Sequence, residues 1–225
     1  MPTAALALLA SLTALPAHAV MFSFTGQIDE LNGSSTLLPA EIVPGAQFFG
    51  TFAFDPAQAS LDGNFTPSLG NFSFSNPDGS DFSLSLTLGG HTWASEAGAV
   101  PGDRQVNVTN NTSDDRVEYL ANKLSYDESP GLPNGITSIS FALRFTDASG
   151  TALSSDAPPN LVPQLPAFSG GFFVTADDGG VNSVSLNATI LSVTPVPEPG
   201  EWAVIMGGLL GVFAVVRRHR SAPAR

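Results

Sequence analysis

Between Val20 and Thr194 the large apolar side chains fall on every second position in one short run after another. "MFSFTG" alternates through Phe22 and Phe24, "FFGTFAF" through Phe52 and Phe54, and "NFSFS" through Phe72 and Phe74. "DFSLSLTL" alternates through Phe82, Leu84, Leu86 and Leu88, and "ITSISFALRF" through Ile139, Phe141, Leu143 and Phe145. "RQVNVTN", "RVEYLA", "GGFFVTA" and "VNSVSLNATILSV" continue the pattern. A period of two puts one set of side chains on one face of an extended strand. Turn signals separate the runs: "DGN", "NPDGSD", "LGG", "PGD", "NNTSDD", "PNG", "DASG" and "DDGG". No segment sustains a helical period. The pattern predicts about nine or ten antiparallel strands around a phenylalanine-rich core. The expected fold is all-β, an antiparallel two-sheet sandwich of jelly-roll-like form, with a closed barrel as the alternative that alternation alone does not separate. Phe52, Phe54, Phe72, Phe74, Phe141 and Phe145 are expected to be buried.

The two ends break this pattern. "AALALLASLTALPAHAV" offers an apolar stretch from Ala4 to Leu15, a break at Pro16, and small residues at Ala17 and Ala19 in the arrangement that signal peptidase accepts. Residues 1–19 are read as a signal peptide, although "MPT" carries no Lys or Arg. At the other end Trp202 to Val216 is an unbroken apolar run of fifteen residues, about 22 Å long as a helix. It is short for a membrane span and would need flanks at the interface, Glu201 and Trp202 on one side and the arginines on the other. Arg217, Arg218 and Arg220 follow it as a stop-transfer cluster that would stay cytoplasmic. Gly207 and Gly211 stand four apart on this segment, a spacing suited to close helix packing. The organisation is therefore 1–19 signal peptide, 20–194 β domain, 195–220 C-terminal signal with a transmembrane helix over 202–216, and 221–225 cytoplasmic tail.

Charge narrows the partners. The chain has a formal net charge of −12, and between Val20 and Thr194 four basic residues face eighteen acidic ones. Such a domain repels phosphate backbones, so nucleic acid is not an expected partner. With no cysteine there is no disulfide framework, thiolate metal site or cysteine nucleophile.

Catalytic machinery is thin. His91, in "GGHTWAS", is the one histidine between the two terminal segments and reads as a strand or turn residue. No nucleophile elbow, zinc-spaced histidine pair or phosphate-binding loop occurs. Asp114/Asp115 and Asp177/Asp178 are adjacent pairs in turn sequences, and neighbours on extended chain point apart, so neither is by itself an acid/base dyad. Carboxylates distant in sequence leave a glycoside hydrolase on a β-sandwich as the alternative function. Asn76, Asp78 and Asp81 in "NPDGSD" are weak calcium candidates, read first as a hairpin turn. No cofactor is expected. Trp93, Tyr119 and Tyr126 are read as core or rim packing. Asn-x-Ser/Thr triplets at Asn32, Asn64, Asn71, Asn107, Asn110, Asn111 and Asn187 are read as solvent-face polar alternation before glycan acceptors.

Directly before the apolar run stands "VPEPG", where Pro197 and Pro199 hold the backbone extended and present Glu198. Pro-Glu-Pro, an apolar helix and an Arg-rich end together resemble the PEP-CTERM sorting signal of Gram-negative bacteria, over Val196 to Arg220. "GAQFFGTFAFDP" and "FTDASGTALSSDAPP" are similar to segments of the β domains that accompany that tail. The resemblance implies that Pro197, Glu198 and Pro199 are recognised by exosortase, an intramembrane processing enzyme. It further implies transient anchoring in the inner membrane, removal of the helix, and release to the cell surface or the extracellular matrix, where exopolysaccharide is a potential partner. The expected protein is exported and non-catalytic.

Overall fold

The computed structural model describes residues 20–61, 68–76, 79–96, 103–111, 113–126, 132–159 and 163–196. They contain twelve β-strands, three 3-10 turns of three residues each and no α-helix. In chain order the strands are β1 (Val20–Gly33), β2 (Gln47–Phe54), β3 (Ser60–Leu61), β4 (Leu69–Ser73), β5 (Phe82–Leu88) and β6 (His91–Ser95). They continue with β7 (Arg104–Asn110), β8 (Asp115–Ala121), β9 (Leu124–Tyr126), β10 (Ser138–Asp147), β11 (Ser169–Asp177) and β12 (Ser183–Pro195). All pair antiparallel.

Nine of these strands are the nine alternating runs. The other three, β3, β6 and β9, are short. A signal for β6 was present: Gly89 and Gly90 both adopt positive φ, 61° and 84°, and join β5 to β6 as a two-residue hairpin with Leu88 opposite His91.

The expected pair of sheets is one sheet by hydrogen bonding, in the order β3-β4-β7-β8-β10-β11-β12-β1-β2-β5-β6-β9. Its two halves face each other because the sheet curls. Phe22 on β1 lies 5.7 Å from Tyr119 on β8 and 6.2 Å from Phe145 on β10, between ring centroids. Phe52 on β2 lies 4.5 Å from Tyr119, Phe48 lies 5.0 Å from Phe172 on β11, and Trp93 on β6 lies 5.7 Å from Phe141 on β10. Strand twist and the large apolar area on the inner face drive this curl, since a flat sheet would leave that face in water. Among the described residues the sheet is open, with the two-residue β3 and the three-residue β9 as its edge strands. Edges this short offer little template for unwanted strand addition.

The core is the inner face. Phe52, Phe54, Phe72, Phe74, Phe141 and Phe145 are all buried, as their spacing predicts. Trp93 and Tyr119 are buried with them, and Tyr126 is half-buried against Trp93 at 4.7 Å. β1 and β12, which pair near the middle of the sheet, carry two register shifts, between Thr25 and Gly26 and between Ile28 and Glu30. Such bulges increase local twist and bend the strand, which suits the middle of a curled sheet.

Candidate functional site

Pro197, Glu198, Pro199, Arg217, Arg218 and Arg220 lie outside the described residues, as do the expected signal peptide and the apolar run. Among the described residues no helix is long and apolar enough to cross a membrane.

The "NPDGSD" loop is organised around an ion pair. Asp81 and Arg104 are buried, with Arg104 Nη1 3.2 Å from Asp81 Oδ1. Arg104 Nη2 donates to the Asn76 carbonyl at 2.8 Å, and the Asn76 amide donates to Asp81 Oδ2 at 2.7 Å. Asp78 is outside the described residues. Asp81 thus meets a guanidinium, and the Asn76 side chain donates to Ser80 Oγ. This arrangement ties a turn to the core.

The other carboxylates that sequence singled out hold loops. Asp115 and Asp147 are cross-strand neighbours at the ends of β8 and β10, and both are buried. Asp147 accepts from the amides of Ser149, Thr151 and Ala152. These donors and the Ser149 hydroxyl hold its pKa down at about 2. Asp115 Oδ2 accepts from the Leu153 amide at 2.7 Å. The two side chains together fasten the "DASGTAL" segment back onto the sheet. Asp114 receives the Asn111 side-chain amide. Asp177 accepts from the Ser138 hydroxyl and the Gly179 amide, and Asp178 from the Asn182 side chain and the Gly180 amide. Those bonds lower both pKa values. Among the described residues, no group of three or more His, Cys, Asp and Glu is placed to hold a metal.

His91 joins Tyr126 across β6 and β9. Its Nδ1 stands 2.7 Å from the Tyr126 hydroxyl, with Glu41 3.9 Å from Nε2. The contact ties β9 to β6, where Trp93 and Tyr126 are cross-strand partners.

A feature missed by reasoning from isolated runs emerges on the outer face. Thr92, Thr87, Phe49, Thr25 and Ser192 are successive cross-strand neighbours across β6, β5, β2, β1 and β12. The next row, Ala94, Ser85, Thr51, Ser23 and Thr194, follows the same five strands. None of these ten positions is charged. Thr25 and Ser192 share a hydrogen bond of 2.7 Å between their hydroxyls. Phe49 stands in this field with 59 % of its surface exposed. Its phase was legible, because it alternates against the buried Phe48, Phe52 and Phe54; the alignment of the other four strands beside it was not. Chemically the face offers hydroxyl donors and acceptors around one aromatic ring. No protein-family model, curated protein or solved structure matches this chain.

Proposed function

We propose that this chain is an exported, non-catalytic surface or extracellular-matrix protein of a Gram-negative bacterium. It is sorted through its C-terminal PEP-CTERM signal and processed by exosortase, and its β domain has a binding or structural role in the exopolysaccharide matrix. The observation that carries this reading is where the β domain ends relative to the C-terminal motif: β12 ends at Pro195, two residues before Pro197. A cut at that motif would leave every described strand intact. Asp81, Asp115 and Asp147 also support a non-catalytic role, because they are engaged in loop anchoring and a buried ion pair. The reading includes a two-layer, jelly-roll-like packing of the curled sheet, supported by the ring contacts between its halves, and a single membrane helix over 202–216 that anchors the chain in the inner membrane until processing.

Glu198→Ala, with both prolines kept, tests it. Between two prolines the chain does not join a helix easily, so the glutamate stays outside the span and open to an enzyme in the membrane. In a host that carries exosortase, the variant is expected to accumulate in the membrane fraction with Trp202 to Arg225 attached, while the parent is released without them. Mass spectrometry of the C-terminus reads the difference. Identical C-terminal masses and identical distribution between membrane and medium would overturn the sorting role.

A further inference from the structure

We infer that the outer face of β6, β5, β2, β1 and β12 is a binding surface for a neutral polysaccharide, with the Phe49 ring as its stacking platform and the hydroxyls of Thr25, Thr87 and Ser192 as polar partners. The natural source of that glycan rests on the matrix reading above.

Phe49 breaks the rule that the rest of the chain obeys. Of the fourteen described phenylalanines, twelve are buried and Phe173 is half-buried, with the Arg144 guanidinium 4.6 Å from its ring centroid. Phe49 alone stands in solvent, and it does so at the centre of its row, with Thr25 on one side and Thr87 on the other. A second apolar side chain lies nearby. The register shift on β12 leaves Leu191 without a partner beside Ser192, and Leu191 is 54 % exposed. Bulges of this kind re-aim a side chain. Single exposed apolar residues are ordinary; two beside the same uncharged hydroxyl row are a surface with a shape.

The chemistry selects the occupant. A pyranose ring has an apolar face of C–H bonds and a rim of hydroxyls, which matches a flat aromatic ring bordered by hydroxyl donors and acceptors. Five strands at about 4.8 Å spacing make a row about 20 Å across, long enough for several sugar units in an extended chain. Charge decides between classes of glycan. The domain carries four basic against eighteen acidic residues, so it repels a polyanion. These two rows carry no charge of either sign and do not repel a neutral chain. Partly desolvated hydroxyls also cost far less to cover than carboxylates.

The test uses the full-length chain in a polyoxyethylene detergent, which contains no sugar headgroup, on immobilised dextran, mixed-linkage β-glucan, galactomannan and alginate. Retention is expected on at least one of the three neutral polymers and not on alginate. It should be unchanged between about 0.05 M and about 0.5 M NaCl, since no ion pair contributes. Phe49→Ala should weaken binding by about tenfold or more, as loss of a central aromatic anchor does. Thr87→Val, which keeps the shape and removes the hydroxyl, should weaken it by about threefold. Because Phe49 is exposed, the melting curve of Phe49→Ala should match the parent's. Equal retention of parent and Phe49→Ala would overturn the site and leave the matrix role standing, which the Glu198 experiment judges separately. Absence of retention on all three neutral polymers, or retention on alginate alone that salt abolishes, would overturn the ligand class. A parent dimer that Phe49→Ala converts to monomer in sedimentation would make this face a self-association surface and would also overturn the inference.

Discussion

Tyr119 shows how single positions in this core are decided. Its ring sits among Phe22, Phe52, Phe54 and Phe145, at centroid distances from 4.5 to 6.1 Å. Its hydroxyl is buried and has no hydrogen-bond partner among the described residues. Burial pushes its pKa up, because the phenolate would be still harder to bury than the phenol. A phenol held this way pays desolvation without recovering a bond. Tyr119→Phe keeps the ring contacts and removes that cost, so it is expected to raise stability by about 1 kcal/mol. Urea denaturation of the two proteins measures it, and a loss of stability would mean that the hydroxyl has a partner. The alternation of "RVEYLA" made an inward Tyr119 legible. The ring cage was not, because its other members lie on β1, β2 and β10, remote in sequence and brought close by the curl of the sheet.

At the scale of elements, β1 and β2 are locked together by a reciprocal exchange of phenylalanine and glycine. Phe24 is the cross-strand partner of Gly50, and Phe48 is the partner of Gly26. Each ring lies over the neighbouring glycine. A Cβ built on Gly50 would come within 2.5 Å of the Ser85 carbonyl oxygen and 2.6 Å of the Phe24 ring. The glycine in "QFFGTFAF" therefore makes room for an aromatic ring from the next strand, in a core packed too tightly to yield. Gly50→Ala should lower stability by about 1–3 kcal/mol through overpacking. A thermal melt would read this as a clear fall in midpoint, and an unchanged midpoint would show that the Phe24 ring can move aside. The long alternating strands were readable because a half-buried strand needs only its own period to announce itself. The short β3, β6 and β9 were not read as strands. Two or three residues carry almost no period, and their pairing depends on an edge that exists only after the sheet has formed.

Over the whole molecule, the Asp81–Arg104 pair links parts of the sheet that hydrogen bonding leaves far apart. Arg104 opens β7, near the β3 edge, and Asp81 precedes β5, near the β9 edge. The guanidinium also approaches the Phe82 carbonyl at 3.4 Å and donates to the Asn76 carbonyl at 2.8 Å. The pair is therefore a clasp across the two facing halves at one end of the core. Arg104→Met would strand a buried carboxylate and is expected to cost about 3–5 kcal/mol, whereas Arg104→Met with Asp81→Leu should recover most of that loss. Equilibrium unfolding of the single and double variants decides it; a double variant as unstable as the single would show that the charge pair is not the source of the loss. Both residues were visible in the sequence, but Asp81 was read within its own hairpin turn, with calcium as the weaker alternative. Its partner lies twenty-three positions away, and no local pattern announces a buried pair.

Sequence alone determined the class of this protein: antiparallel strands between Val20 and Thr194, a phenylalanine core and the turns between runs. Those properties follow from period, turn chemistry and composition, which act over a few residues at a time. Tertiary structure decided that the strands form one curled sheet, that Asp81 meets Arg104, that Asp115 and Asp147 anchor the loop after β10, and that ten uncharged positions from five strands align around Phe49. Each of these depends on the register between strands that lie far apart in the chain. Register is set by packing the inner face as a whole, and the outer face is aligned as its consequence.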